Sequence, residues 1–399
     1  MREFEFVIVV AMLQALQALA IDVMLPALGV ISKDLGVIDS NDRQLVIGVF
    51  LISSGVASLF PGMFADRFGR KPVLMVCLTT YFFISLVSAL VTDFTTLLVL
   101  RALLGVFSAG LMIMPMTIIR DRYSGDRMAR MQSLVAMVFM VVPMLAPLMG
   151  QGIMLVANWR WIFGAMALLA ALVGFWVWLR LPETLHDDFR QPIRLGAVLS
   201  NMRLAVTHRE AMGYFLGAAL LQTVIFAYVN SSQQLVGEAL GAGALFPAIF
   251  GGMALLMAST NFVNSRIVER FGARRVSHSA LMGFILMGVI HSAVAWRGSE
   301  TLWVFVALMT VTMCFMSFIG SNFQSIAMQP FARTAGSAAS VMSFIRLVVG
   351  ASCGSLVGRA FDGTSRPLVF AILACGIGTL LLVLRSENGR LFRRRLAPE

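Results

Sequence analysis

Two residues of opposite charge fall inside stretches that are otherwise apolar: Asp22, within residues 5–27, and Arg101, within 95–116. An ionisable side chain inside a membrane helix costs about 2.5–3.5 kcal/mol on the insertion scale, and it usually marks a path for protons, ions or substrate. Burial favours the neutral acid, whereas a neighbouring guanidinium favours the carboxylate. An Asp and an Arg at the same depth are therefore poised to exchange their mutual attraction for a proton. Asp22 lies four residues before Pro26, in the outer third of its run. Arg101 lies about two helical turns below the same surface, because its run crosses in the opposite direction. The pair is read as a proton-coupling site, with a permanent ion pair that merely fixes the helices as the alternative.

A third intramembrane charge, Arg346, sits at the centre of residues 335–358 between Ile345 and Leu347. It is too deep to reach either surface easily by extending its side chain, so it needs a partner or water. Substrate selection, counter-charge for an anion and latching between helix bundles all stay open for it.

The elements that must hold these groups are membrane helices. Of 399 residues, 59% are hydrophobic and only 13% charged, which is far too apolar for an ordinary soluble chain. Runs long enough to cross a bilayer lie at 5–27, 44–63, 73–91, 95–116, 130–152, 161–179, 211–230, 244–263, 275–296, 301–323, 335–358 and 367–384. The fold class expected is an all-α polytopic membrane protein with twelve transmembrane helices in two pseudo-symmetric six-helix bundles. The longest polar interruption divides them six and six. The domains read as a bundle over 1–180, a cytoplasmic linker over 181–209, a second bundle over 210–385 and a basic tail over 386–399 that ends near Arg393, Arg394 and Arg395.

The net charge of +11 is explained by topology and not by a nucleic-acid partner. Apart from Arg101 and Arg346 within spans, only Lys33, Arg43, Arg160, Arg297, Arg359 and Arg366 fall on the side opposite the N-terminus. The positive-inside rule then places both termini in the cytoplasm of a multi-pass protein of the cell inner membrane. Glu3 and Glu5 precede the first span and no small-residue cleavage pattern follows it, so that span reads as a retained helix. Cys77, Cys314, Cys353 and Cys375 all lie in spans, where they pack as small apolar groups. His186, His208, His278 and His291 have no metal-ligand spacing. No Gly-Lys-Ser/Thr phosphate loop exists. Neither a metal, an organic cofactor nor an enzymatic activity is expected, and the expected driver is the proton gradient.

Between the second and third runs stands Gly62-Met63-Phe64-Ala65-Asp66-Arg67-Phe68-Gly69-Arg70-Lys71, a charged turn that must lie at a membrane surface. A shift of 203 residues lays Ser265 to Arg274 over it, with Glu269, Arg270, Phe271 and Gly272 in register. The halves are an internal repeat. This turn, with its degraded copy between spans eight and nine, resembles the signature loop of the major facilitator superfamily. Ile21 to Leu28, Arg120-Asp121-Arg122-Tyr123, Pro143 to Gly150, Leu181-Pro182-Glu183-Thr184-Leu185 and Ala335 to Ser340 are similar to the bicyclomycin-resistance (Bcr/CflA) type of drug:proton antiporter.

The resemblance implies two bundles that rock about a central site and expel amphiphilic compounds in exchange for protons, with Asp22 and Arg101 as the coupling residues. Leu104 stands where the wider family often has Gln. The resemblance also implies a cavity lined by spans one, four, seven and ten, where Gln14, Gln17, Met112, Met116, Gln222, Phe226, Tyr228, Asn230, Phe318 and Asn322 fall, with Arg346 added from span eleven. A soft, aromatic wall with few hydrogen-bonding groups suits flexible amphiphiles better than sugars. Pro143, Pro147 and Gly150 resemble the antiporter motif of helix five, with Val142 and Ala146 replacing glycines, and imply close approach between bundles. Gly62, Asp66, Arg67, Gly69, Arg70, Lys71, Asp121, Glu269 and Arg270 form an implied conformational latch: Asp66 toward the start of span eleven, Arg70 toward Asp121, Gly62 permitting close helix contact, and the second copy latching more weakly. The partners expected are a small amphiphilic substrate, protons and membrane lipid, for a protein acting as a monomer. An exporter of a narrow metabolite, siderophore or sugar is the nearest rival; a membrane receptor or a channel is the reading from a different class.

Overall fold

The computed structural model describes residues 1–39, 41–123, 125–185, 207–331 and 335–392, with the isolated residues 196 and 203. Most of the linker 181–209 and the tail beyond residue 392 lie outside the described residues. The chain divides into two units, Met1–Leu195 and Gly196–Glu399.

Eleven described helices are long and apolar enough to cross a membrane, and a bent pair makes a twelfth. In the first unit, α1 (Glu3–Asp22) and α2 (Leu28–Asp34) form span one. Next, α3 (Leu45–Ala57) and α4 (Pro61–Phe68) form span two, bent by 49°. Spans three and four are α5 (Arg70–Ser88) and α6 (Phe94–Arg122), α7 (Gly125–Met140) and α8 (Val142–Val156) form span five, and α9 (Arg160–Arg180) is span six. In the second unit, spans seven to twelve are α10 (Arg209–Ser232), α11 (Phe246–Phe271), α12 (Ala273–Arg297), α13 (Leu302–Met328), α14 (Ala335–Arg359) and α15 (Arg366–Ser386).

The interruptions fall where proline removes a backbone donor. Pro26 breaks span one into a 3-10 turn, Leu25–Ala27. Pro61 opens α4 and Pro143 lies in the first turn of α8, positions where the missing N–H has no helical partner to lose. Gly69 and Gly272 join their flanking helices at φ of 101° and 84°, a region open to glycine and costly for other residues. The two halves thus share not only letters but one backbone device.

Span one is clasped to span six at both ends. Arg180 and the Trp176 indole bind Glu5 at 2.8 and 3.1 Å, while Trp159 and Arg160 bind Asp34 at 2.9 and 2.8 Å. Trp161, Trp178, Trp296 and Trp303, all near span ends, are exposed, as expected for aromatic residues at the lipid interface.

Candidate functional site

Arg101 is fully buried in α6. Its Nη2 donates to the carbonyl of Ala20 at 2.7 Å and its Nε to the carbonyl of Val46 at 3.0 Å. Its guanidinium lies 4.5 Å from the centre of the Phe50 ring, within cation–π range. One side chain thereby ties spans one, two and four. The Ala20 carbonyl is one of the last four of α1, which a helix leaves without internal partners.

Asp22 ends α1, two residues beyond Ala20, and is 8% exposed. It makes no hydrogen bond or ion pair among the described residues. The ion pair expected with Arg101 is therefore absent. The break before Pro26 leaves the Ala20 carbonyl open to the guanidinium and Val46 of α3 supplies the other, so that among the described residues the buried Nη1 is the one guanidinium nitrogen without a partner. Around this centre, Gln17 donates to the Ser54 hydroxyl at 3.1 Å and the Tyr81 hydroxyl to the Leu16 carbonyl at 2.8 Å. Tyr81 and Ser54 went unmarked in the sequence because nothing local distinguishes them.

Helix five meets span one at the same break. A Cβ added to Gly150 would collide with the carbonyl of Val23, whereas one on Gly152 would meet nothing within 4 Å. The close approach expected of this motif between bundles is thus found within the first unit, against the interrupted helix. Pro147 lies inside α8 and is buried, and Pro143 lies in its first turn.

At the charged turn, Arg70 donates from Nε to Asp121 at 2.9 Å and from Nη1 to Asp66, one turn earlier in the chain. Glu183, after span six, accepts from the backbone N–H groups of Arg70 at 2.9 Å and Lys71 at 3.1 Å, and also from those of Thr184 and Leu185. Burial opposes its ionisation, but these four donors outweigh it and hold the carboxyl below the usual glutamate range. Lys71 Nζ donates to the Trp178 carbonyl at 2.8 Å. A Cβ at Gly69 would sit 2.6 Å from Glu183 Oε2, so this glycine is needed for room as well as for its φ. Gly62 is otherwise: within its unit an added Cβ meets nothing, and it mediates no close helix contact there. Arg67 is exposed. Residues 332–334, next to the start of span eleven, lie outside the described residues.

The second copy has a buried ion pair of its own. Arg274, at the start of α12, binds Glu387 at 2.7 Å with both side chains buried. Tyr214 donates to the same carboxylate at 2.8 Å and lies 3.1 Å from His278 Nε2. Burial opposes charge on Glu387, and the bonds from Arg274 and Tyr214 prevail, holding its carboxyl low. Each half thus uses a carboxylate placed after its sixth span to fasten the start of its third. Arg270 lies exposed over Phe271, and the side chain of Glu269 lies outside the described residues.

The residues assigned to a cavity separate into packing groups and polar groups. Phe226 is held against Gly354, and the Tyr228 hydroxyl points at the Met253 sulfur, with its ring stacked on Phe250. Within their unit both pack between helices, as an aromatic in an apolar span fills the nearest helix groove. Asn322 donates to Asn264 at 2.9 Å and to the Phe318 carbonyl at 2.7 Å, and Asn264 donates to Ser321 at 3.0 Å. Asn264, missed in the sequence, sits near the end of α11. Asn230 is 2% exposed, and neither amide atom has a partner among the described residues. Gln14, Met112 and Gln222 are partly exposed, and Met116 is exposed. Phe107 lines a different feature, an apolar groove of about 570 Å³ between spans two, three and four with Phe60, Phe64, Phe68 and Val76.

The sequence matches the family described as the Major Facilitator Superfamily over residues 10–355. A bicyclomycin resistance protein homolog from Haemophilus influenzae is 28% identical over 381 residues, 95% of this chain and 95% of the relative. Multidrug resistance protein MdtL from Klebsiella pneumoniae is 29% identical over 372 residues, 91% of each chain. Among solved structures, a D-xylose-proton symporter superposes with a TM-score of 0.77 over 96% of this chain and 97% of its own, at 13% identity, which is a likeness of fold.

Proposed function

The chain belongs to the Major Facilitator Superfamily, and from that premise we propose that it expels drugs or similar amphiphilic small molecules by proton antiport. The names of the relatives, a bicyclomycin resistance homolog and a multidrug resistance protein, support the substrate class. Support for coupling comes from one observation: among the described residues Asp22 is buried with no partner two residues from the carbonyl that Arg101 occupies, and the Arg101 Nη1 is likewise unpartnered.

In the reading that follows, Asp22 is protonated when facing the side of high proton concentration, which costs nothing in unpaired charge. Loss of the proton leaves a buried carboxylate that must find a counter-charge, and the unpartnered Nη1 of Arg101, whose guanidinium already reaches the end of α1 at Ala20, offers one. Drawing Arg101 toward Asp22 loosens its hold on Ala20 and Val46, and so the junction of spans one, two and four. Ionisation is thereby converted into helix movement, as alternating access requires. The proton gradient is the sole driver in this scheme and the working unit is a monomer. The excess of Arg and Lys in the even-numbered connections and at both ends supports cytoplasmic termini in the inner membrane.

The test is purified protein in liposomes with an imposed pH gradient and an enclosed pH-sensitive dye. Adding cationic, neutral and anionic amphiphiles in turn should release protons for one class. Substrate movement that is indifferent to the gradient would remove antiport.

A further inference from the structure

Spans seven and eleven run side by side in the second unit with almost no space between them. A Cβ on Gly350 would stand 2.9 Å from both Cβ and Cγ of Gln222, and one on Gly354 would stand 2.7 Å from Cβ of Phe226. The two glycines are four residues apart on one face of α14, the small-xxx-small arrangement that lets membrane helices touch. One turn toward the N-terminus on that same face, about 6 Å along the axis, is Arg346.

Arg346, half-buried in α14, differs from the buried arginines Arg101 and Arg274. Arg101 has two carbonyls and a ring; Arg274 has Glu387 and the Gln329 amide oxygen. Arg346 makes no hydrogen bond, ion pair or ring contact among the described residues, and its Nε is closed to solvent. Gln222, whose stem is fixed by Gly350, likewise leaves its carboxamide without a partner there. A guanidinium near the middle of a membrane helix is expensive to leave uncompensated. Among the described residues nothing compensates it.

We propose that Arg346 and Gln222 form an oxyanion-binding site at the span seven–span eleven seam, and that the transported amphiphile carries a carboxylate, phosphonate or sulfonate. The guanidinium fork takes two oxygens of such a group in plane, and the Gln222 N–H adds a donor from the neighbouring helix. Met342, one turn before Arg346 on the same face of α14, is an apolar neighbour for the rest of the molecule. A cation is repelled, and a neutral compound leaves the charge unpaired, so the site discriminates by penalty as well as by attraction. The inference rests on the transporter reading for its substrate and is independent of proton coupling.

The experiment measures binding of dansylundecanoic acid, its methyl ester and dansylundecylamine to the full-length protein in phosphatidylcholine nanodiscs. The wild type should bind the acid about 10- to 100-fold more tightly than the ester, the value of a charge-assisted hydrogen bond. Arg346→Gln should erase the difference, and Arg346→Lys should retain part of it. Equal binding of acid and ester by the wild type, or an acid preference that survives Arg346→Gln, overturns the site. Arg346→Met guards against a folding artefact: removal of an unpaired charge should leave Tm unchanged or raise it, whereas a fall of several degrees means that Arg346 is a structural tie and not a binding group. Adding phosphatidylglycerol distinguishes the source of the oxyanion. Competition with the acid in the wild type alone supports the site with a lipid headgroup as its occupant; no competition supports a free solute. Loss of the acid preference in Arg346→Gln by a protein that releases no protons would retain this site and remove antiport.

Discussion

Arg101 donates to the carbonyl of Ala20 at 2.7 Å, and it does so where a side chain two residues further on, Asp22, would have been the simpler partner on charge alone. The helix break at Pro26 sets this preference. It ends α1 at Asp22, leaving terminal carbonyls that a guanidinium can reach without neutralising an acid. The same break receives Gly150, so that a coupling candidate, a bundle-stitching arginine and the helix-five motif converge on one interruption.

Arg101→Lys should therefore lower thermal stability even though the charge is kept. An ammonium cannot span the carbonyls of Ala20 and Val46, and one buried acceptor left unmet costs about 1–3 kcal/mol. A melting temperature in detergent equal to that of the wild type would show that the two carbonyl bonds contribute nothing.

Gly150→Ala and Gly152→Ala should behave oppositely despite lying two residues apart. The first forces a methyl group into the Val23 carbonyl and should cost about 1–3 kcal/mol, as overpacking does. The second meets open space and should be neutral or slightly stabilising through helix propensity. Equal effects on Tm would mean that α8 does not dock on the break in span one.

Glu183→Gln should lose the cap on α5. The carboxyl is held below its ordinary value of 4.5 in the fold, so its contribution is present above that pH and is lost as pH falls through the lowered folded value. Near neutral pH the variant should be less stable by about 0.5–1 kcal/mol, a modest figure because the side chain is exposed. The gap to the wild type should close below pH 4.5. A gap that persists unchanged into acid would assign the effect to shape and not to charge.

The sequence is informative where a residue type is incongruous with its surroundings. Asp22, Arg101 and Arg346 stand out because apolar runs surround them, and Arg70 meets Asp121 as the resemblance implied. Partners made by backbone are illegible: no letter announces that Ala20 and Val46 will offer carbonyls. Glu183 was visible in a motif but not as the cap of a helix 113 residues earlier, because a cap of this kind is a fact of tertiary packing. The partner of Arg274 in the second loop is illegible for the same reason, since Glu387 lies 113 residues away. Gly62 and Gly150 show the limit of reading a glycine by motif: only the neighbour opposite decides whether its missing side chain matters.

The central claim is that Asp22 carries the coupled proton. The direct measurement compares two modes in liposomes containing wild type or Asp22→Asn: accumulation of substrate driven by a pH gradient, and substrate-for-substrate counterflow without one. The account predicts that Asp22→Asn abolishes driven accumulation while counterflow continues, because the path and the moving parts remain and only the exchangeable proton is gone. Gradient-driven accumulation by Asp22→Asn equal to that of the wild type, at equal reconstituted amounts, would contradict it.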